Sequence, residues 1–288
     1  MLKALVLVAA ALASPHGADG RVLHETLESG GLARTYRLFV PARLPPWPAL
    51  VLVLHGGFGT GDGAARQTGF DGEAARHGFV VAYPDGLARS WNAITCCGPA
   101  ERSGVDDVGF LVRLVGVLEA RYRVDPRRAY ATGISNGGLM AYVLACRAAG
   151  TFAAIGPVAA TLDVASCSPT RPVSVLHIHG SADENIPFAG GRGAKGVTGN
   201  VWRSVPDTIR RWRRLDRCRP PTERRKGDVA VSRSECAAGA AVELDLIRGG
   251  GHSWPGGRRM SPLLDPPSAA LDATAALWRF FAAHPRRP

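Results

Sequence analysis

Beyond its first residues the chain has no apolar run of 18, which argues against a helical membrane span in its body. None of its six cysteines forms a Cys-x-x-Cys pair, so the usual spacing of a zinc site is missing and no metal is expected. There is no internal repeat and no break in composition, which argues against solenoids and points to one folded domain. Lysine is scarce: only Lys3, Lys195 and Lys226 stand among 35 basic residues. Acidic residues number 24, and the formal net charge is +11. The densest basic run, Arg210-Arg211-Trp212-Arg213-Arg214, could suggest nucleic acid. Ile209, Trp212 and Leu215 recur there at helical spacing, so the arginines read as the solvated face of a helix, and no nucleic-acid partner is expected. A milder attraction to acidic polysaccharide or an anionic cell surface fits the charge.

What is present is enough apolar material for a sizeable core: 288 residues, 46% hydrophobic. Met1-Leu2-Lys3 is a short positive start, residues 4–12 are apolar, and Ala11-Leu12-Ala13 has the form of a cleavage site. The expected organisation is a signal peptide over 1–13, a flexible leader over 14–20, one folded domain over 21–284 and a disordered tail over 285–288. Export, to the periplasm or outside the cell, would let disulfides persist. Six cysteines allow 15 pairings. Locality favours Cys146 with Cys167 and Cys218 with Cys236, leaving Cys96 and Cys97 as a vicinal bridge or free thiols.

Strands are expected at 34–40, 49–54, 79–83, 128–132, 153–158, 173–178 and 242–247, with helices at 62–77, 107–122, 136–148, 206–215 and 268–283. Residues 49–54 are continuously apolar, as a strand buried on both faces should be. Residues 34–40 alternate, as an antiparallel edge pair would, and the polar stretch 219–228 reads as a surface loop. Alternating strands and helices give a mostly parallel α/β sheet with helices on both faces.

Within that frame one segment carries chemistry. Gly133-Ile134-Ser135-Asn136-Gly137 lies between a β-type run and a helical run. Strand, Gly-x-Ser-x-Gly, helix is a nucleophile elbow: the turn is so sharp that only small neighbours leave room for the serine. The pattern alone is weak, since roughly 0.2 matches would arise by chance in so glycine-rich a chain. A serine nucleophile also needs a base and an orienter for it. Asp183 follows the strand at 173–178, with Glu184 and Asp163 as fallbacks. His252 sits in Gly249-Gly250-Gly251-His252-Ser253-Trp254, after the last strand. Backbone donors for an oxyanion are expected from Gly57 or Phe58, in the loop His55-Gly56-Gly57-Phe58-Gly59, together with Asn136. Trp91 and Trp254 either wall an acyl pocket or merely pack. Asp106 and Asp107 read as caps of the following helix.

Two rivals share these residues. Gly59-Thr60-Gly61-Asp62-Gly63-Ala64, with Asp85 after the next strand, has the form of a dinucleotide fingerprint, but four residues separate its first glycine from the strand end. His177 and His179 form His-x-His on one face of a strand, a possible half of a metal site, although no third ligand stands at a suggestive spacing.

Together the motifs resemble secreted esterases of the polyhydroxybutyrate depolymerase type, related to feruloyl and acetylxylan esterases of carbohydrate esterase family 1. The resemblance rests on His55-Gly56-Gly57, Tyr83-Pro84-Asp85-Gly86, Trp91-Asn92 with Cys96-Cys97-Gly98, Val105-Asp106-Asp107-Val108-Gly109-Phe110-Leu111, the elbow, His179-Gly180-Ser181-Ala182-Asp183 and Gly251-His252-Ser253-Trp254-Pro255-Gly256. It implies an α/β-hydrolase fold and a Ser135–His252–Asp183 triad acting on an ester substrate without metal or organic cofactor. Depolymerases that attack solid polyester often carry a linker and a separate polymer-binding domain, and neither is expected from this sequence. Soluble hydroxyalkanoate oligomers, or ester-decorated plant polysaccharide, are therefore the expected substrates. A serine peptidase, or a non-catalytic relative that binds polymer, would share the fold. Oligomeric state is not legible.

Overall fold

The computed structural model describes residues 19–164, 166–260 and 264–287. The expected signal peptide, most of the leader and Pro288 lie outside them. In chain order the elements are β1 (Gly20–Ser29), β2 (Leu32–Pro41), β3 (Leu50–Leu54), α1 (Gly61–Thr68), α2 (Phe70–His77), β4 (Val80–Pro84), α3 (Gly98–Ser103), α4 (Asp107–Tyr122), β5 (Ala129–Ile134), α5 (Asn136–Arg147), β6 (Ala154–Val158), β7 (Ser174–Gly180), β8 (Gly191–Arg192), β9 (Val201–Trp202), α6 (Val205–Leu215), β10 (Thr222–Lys226), β11 (Val229–Glu235), β12 (Ala241–Ile247) and α7 (Ala273–Ala283).

Ten strands form one sheet in the order β1-β2-β4-β3-β5-β6-β7-β12-β11-β10. The six central strands from β4 to β12 are parallel, and an antiparallel hairpin closes each edge. The alternation of β3 explains its position. Leu50, Leu52 and Leu54 pack on one face with α4, α5 and α6, while Val51 and Val53 pack on the other with α1, α2 and α7. The chain leaves β3 toward β4 on one side and β5 toward β6 on the other, so the carboxyl ends of β3 and β5 flank a topological switch point, where open α/β sheets place their sites.

Several expectations are corrected. The helix expected at 62–77 is two helices, because Gly69 takes a left-handed φ of 68° and ends α1. The last helix begins at Ala273, where the Asp272 carboxylate caps the N–H of Ala275. Residues 219–228 are no plain loop: they contain β10, paired with β11 across Gly227-Asp228. Asp106 does cap α4 through Gly109 N–H, but Asp107 is buried and bonds Arg34 at 2.6 Å. Residues 285–287 of the expected tail lie against the domain, where Arg286 N–H donates to the Arg127 carbonyl at 2.8 Å. Both disulfides expected from locality are present, and Cys96 and Cys97 are bonded to each other.

Candidate active site

β5 delivers Ser135 to the switch point. The serine has φ 56° and ψ −122°, a conformation that L-residues rarely adopt, that costs about 1–3 kcal/mol and that persists only where its surroundings enforce it. Here they do. A Cβ on Gly133 would lie 2.6 Å from the Leu54 carbonyl oxygen, and one on Gly137 would lie 2.3 Å from that oxygen and 2.6 Å from the His55 oxygen. Both flanking glycines thus let α5 press against the end of β3. Ser135 N–H is anchored to the Val158 carbonyl at 2.9 Å, and α5 is buried on all sides from Asn136 to Cys146.

Asp183 and His252 follow β7 and β12, which are neighbours in the sheet. Their loops are joined main chain to main chain, with Ala182 N–H donating to the Gly250 carbonyl at 2.9 Å. A Cβ on Gly180 would meet that same carbonyl oxygen at 2.1 Å. The Asp183 carboxylate is fully engaged. Its Oδ1 accepts the N–H groups of Asn185 and Ile186, each at 2.9 Å, and its Oδ2 lies 2.8 Å from His252 Nδ1. Burial pushes this carboxyl up, but the His252 hydrogen bond, the favourable electrostatics of the His252 and His179 rings and the Ile186 N–H outweigh it and hold it below its ordinary value. Asp183 therefore faces His252 as a carboxylate and fixes the ring as an Nδ1–H donor, leaving Nε2 to accept. Asp265, which the sequence reading missed, accepts His252 N–H at 2.8 Å. Among the described residues no hydrogen bond joins the Ser135 hydroxyl to the His252 ring, a link that often tightens only when substrate binds. Of the fallback acids, Glu184 is paired instead with Lys195 at 2.5 Å.

The loop after β3 rests on His55. Its Nδ1–H donates to the Gly56 carbonyl at 2.7 Å, and Nε2 accepts Gly86 N–H at 2.9 Å. Burial holds this ring below its ordinary pKa, in keeping with the neutral tautomer those partners require. Phe58 does not serve as an oxyanion donor, because its N–H is spent on the Arg89 carbonyl at 2.8 Å; its ring is 69% exposed. Among the described residues Gly57 and Asn136 keep their N–H groups clear of other backbone acceptors, Asn136 as the first residue of α5. The Asn136 side chain clamps the main chain of Trp91 twice, accepting its N–H at 2.7 Å and donating to its carbonyl at 3.0 Å.

Both tryptophans are packed inside, although Trp254 backs a small cavity beside His252. Trp91 and Trp254 are fully buried, and their indole N–H groups donate to the His55 carbonyl and the Thr274 hydroxyl. An acyl-pocket role for them is corrected to packing. The dinucleotide-like segment is the capped start of α1: Thr60 accepts Gly63 N–H, and Asp85 accepts Gly61 N–H at 2.8 Å and the Thr35 hydroxyl at 2.8 Å. His177 bonds His179 and Tyr142, His179 bonds the Ile186 carbonyl, and among the described residues no cluster of three or more His, Cys, Asp or Glu could hold a metal.

The profile of the family described as Esterase PHB depolymerase matches residues 35–186, more than half of the chain. The chain belongs to the Esterase PHB depolymerase family. It is accordingly a carboxylic-ester hydrolase of the serine type on an α/β-hydrolase fold. The match contains Ser135 and Asp183 and stops before His252. A protein of Nocardia uniformis subsp. tsuyamanensis named as an esterase, NocK, is 33% identical over 263 residues, covering 83% of this chain and 76% of that protein. Feruloyl esterase B of Piromyces equi is 30% identical, covering 64% of this chain and 36% of its own length, so the chain spans about a third of that relative. Poly(3-hydroxybutyrate) depolymerase of Ralstonia pickettii is 34% identical, covering 44% of this chain and 29% of its own. An acetyl xylan esterase from Aspergillus awamori superposes with a TM-score of 0.63 at 15% identity, covering 92% of this chain and all of that one, a likeness of fold.

Proposed function

We propose that this Esterase PHB depolymerase family member works through a Ser135–His252–Asp183 triad. The observation that carries the reading is the 2.8 Å Asp183–His252 contact, at strand ends beside a serine held in a strained elbow. Ser135 Oγ attacks the ester carbonyl while His252 Nε2 takes its proton. The N–H groups of Gly57 and Asn136 hold the tetrahedral oxyanion. His252 returns the proton to the leaving alcohol, and water then cleaves the acyl-enzyme by the same route reversed. Asp183 keeps the tautomer and stabilises the imidazolium.

The substrate we favour is a short-chain hydroxyalkanoate oligomer. The family profile and the poly(3-hydroxybutyrate) depolymerase relative from Ralstonia pickettii support that choice. Feruloyl or acetyl esters on plant polysaccharide form the second reading, favoured by the feruloyl esterase relative. Three disulfides accord with an exported, extracytoplasmic enzyme. Ser135→Ala should lower p-nitrophenyl acetate turnover by at least about 10³-fold. Near-normal turnover in that variant would sink the mechanism. Peptide anilides, methyl ferulate, acetylated xylan and hydroxybutyrate oligomers, compared side by side, separate peptidase from esterase and one ester class from another.

A further inference from the structure

His177 and His179 are buried, and neither has a part in the mechanism above. They form one chain of hydrogen bonds whose direction follows from its end. His179 Nε2 lies 2.9 Å from the Ile186 carbonyl, which can only accept, so Nε2 carries the proton. His179 Nδ1 is then an acceptor and takes His177 Nε2–H at 3.1 Å. His177 Nδ1 in turn accepts the Tyr142 hydroxyl at 2.8 Å. Tyr142 stands on α5, the helix that begins at the nucleophile, and Ile186 is the residue whose N–H lands on Asp183 Oδ1. The chain therefore ties the helix of Ser135 to the turn of Asp183 through the interior. His179 Nε2 also lies 3.5 Å from Asp183 Oδ2, the oxygen that His252 uses.

We propose that His179 is a positioning residue for ester hydrolysis: through the Ile186 carbonyl it holds the turn that aims Asp183 at His252, and it leaves the carboxylate's charge to His252 alone. The second half matters because a cation at that place would compete with the imidazolium formed in the transition state. Complete burial works against such a cation and holds both rings below their ordinary pKa. The inference rests on the triad reading.

The test is the pH profile of p-nitrophenyl acetate hydrolysis in His179→Leu, His179→Gln and Tyr142→Phe, with Ser135→Ala alongside. His179→Leu should lower kcat roughly 10- to 100-fold, the cost of a small misplacement of a catalytic group, with KM within about twofold. The acid limb of kcat/KM should move to lower pH, since a loosened carboxylate supports the imidazolium less. His179→Gln keeps an N–H for the Ile186 carbonyl and should regain kcat to within about fivefold of wild type. If His179→Leu does not fold, Tyr142→Phe carries the test, removing one oxygen at the far end of the chain with an expected loss of about fivefold. Wild-type kcat and limb in His179→Leu, or in Tyr142→Phe where His179→Leu does not fold, overturn the proposal. So does equal impairment of His179→Leu and His179→Gln with an unmoved limb, which marks mere packing. Retained activity in Ser135→Ala overturns the triad reading, and this inference with it; lost activity there with an unaffected His179→Leu overturns this inference alone.

Discussion

Asp183→Asn tests the proposed site most severely, because the structure dictates how the new amide must sit. Oδ1 of Asp183 accepts two backbone N–H groups, from Asn185 and Ile186. The amide oxygen must take that place, since an NH2 there would face two donors. Reversing it would forfeit two buried hydrogen bonds at about 1–3 kcal/mol each, or about 2–6 kcal/mol together. The favoured orientation therefore points the NH2 at His252 Nδ1. That nitrogen must then accept, Nε2 must carry the proton, and the ring cannot take one from Ser135. Productive molecules are those that adopt the reversed amide, a fraction on the order of 1/30 to 1/10⁴ by the same figures at 1.4 kcal/mol per tenfold. Loss of the negative charge lowers activity further. The expected result is a kcat on p-nitrophenyl acetate reduced by about 10³- to 10⁴-fold, with KM little changed and the fold intact by circular dichroism. Asp183→Ala, which leaves the tautomer free, should lose less than Asp183→Asn. If the Asn variant folds and keeps kcat within about tenfold of wild type, the orienting acid is elsewhere and the argument from Oδ1 is wrong.

Gly137→Ala brings a Cβ to 2.3 Å from the Leu54 carbonyl oxygen, whereas a Cβ on Gly57 meets nothing within 4 Å. The first should cost at least about 2 kcal/mol in urea unfolding and abolish turnover, while Gly57→Ala, which keeps the N–H, should leave both near wild type. Burial pushes the Asp216 carboxyl from its ordinary 3.8 up to about 7, and its Oδ1 has no partner among the described residues. The folded state thus holds a proton that the unfolded state releases near pH 4. The contribution is complete below about pH 4 and is lost as pH rises toward 7; the full difference corresponds to about 4 kcal/mol. Asp216→Asn should therefore melt higher than wild type at pH 8, with the gap closing at pH 4. A variant that melts lower at pH 8 would refute this.

The elbow was legible because its glycines encode a backbone clash with β3, a constraint local enough to read as a spacing. β3 itself was legible because burial on both faces leaves no polar residue in Leu50–Leu54. The β10–β11 hairpin was not, since Thr222–Lys226 is exposed along its whole length and shows no apolar alternation. The two residues between the strands, Gly227-Asp228, were the available signal. The break at Gly69 was hidden among other glycines of the same run. Trp91 and Trp254 misled because a tryptophan beside a catalytic motif looks the same in sequence whether its ring faces substrate or core. Only the long-range partners of the indoles, the His55 carbonyl and the Thr274 hydroxyl, decide it.

Asp183 and His252 stand 69 residues apart, yet they meet because the loops that bear them pack main chain against main chain. Gly180 has no room for a Cβ beside the Gly250 carbonyl, just as Gly137 has none beside Leu54. The same device thus sets both halves of the proposed site: a glycine packed at the end of a strand, Gly137 from α5 against β3 and Gly180 in β7 itself, lets a neighbouring backbone approach closer than any side chain permits. The carboxylate and the imidazole then need little freedom of their own. Asp183 is held by two peptide N–H groups, and His252 is held by Asp265 through its own N–H. It follows that the glycines of His179-Gly180 and Gly249-Gly250-Gly251 carry as much of the information for the site as the acid and base do. A sequence with the same Ser, Asp and His but bulkier residues at 137 and 180 would lack the geometry, and an intact set of three reactive residues would then say little about catalysis.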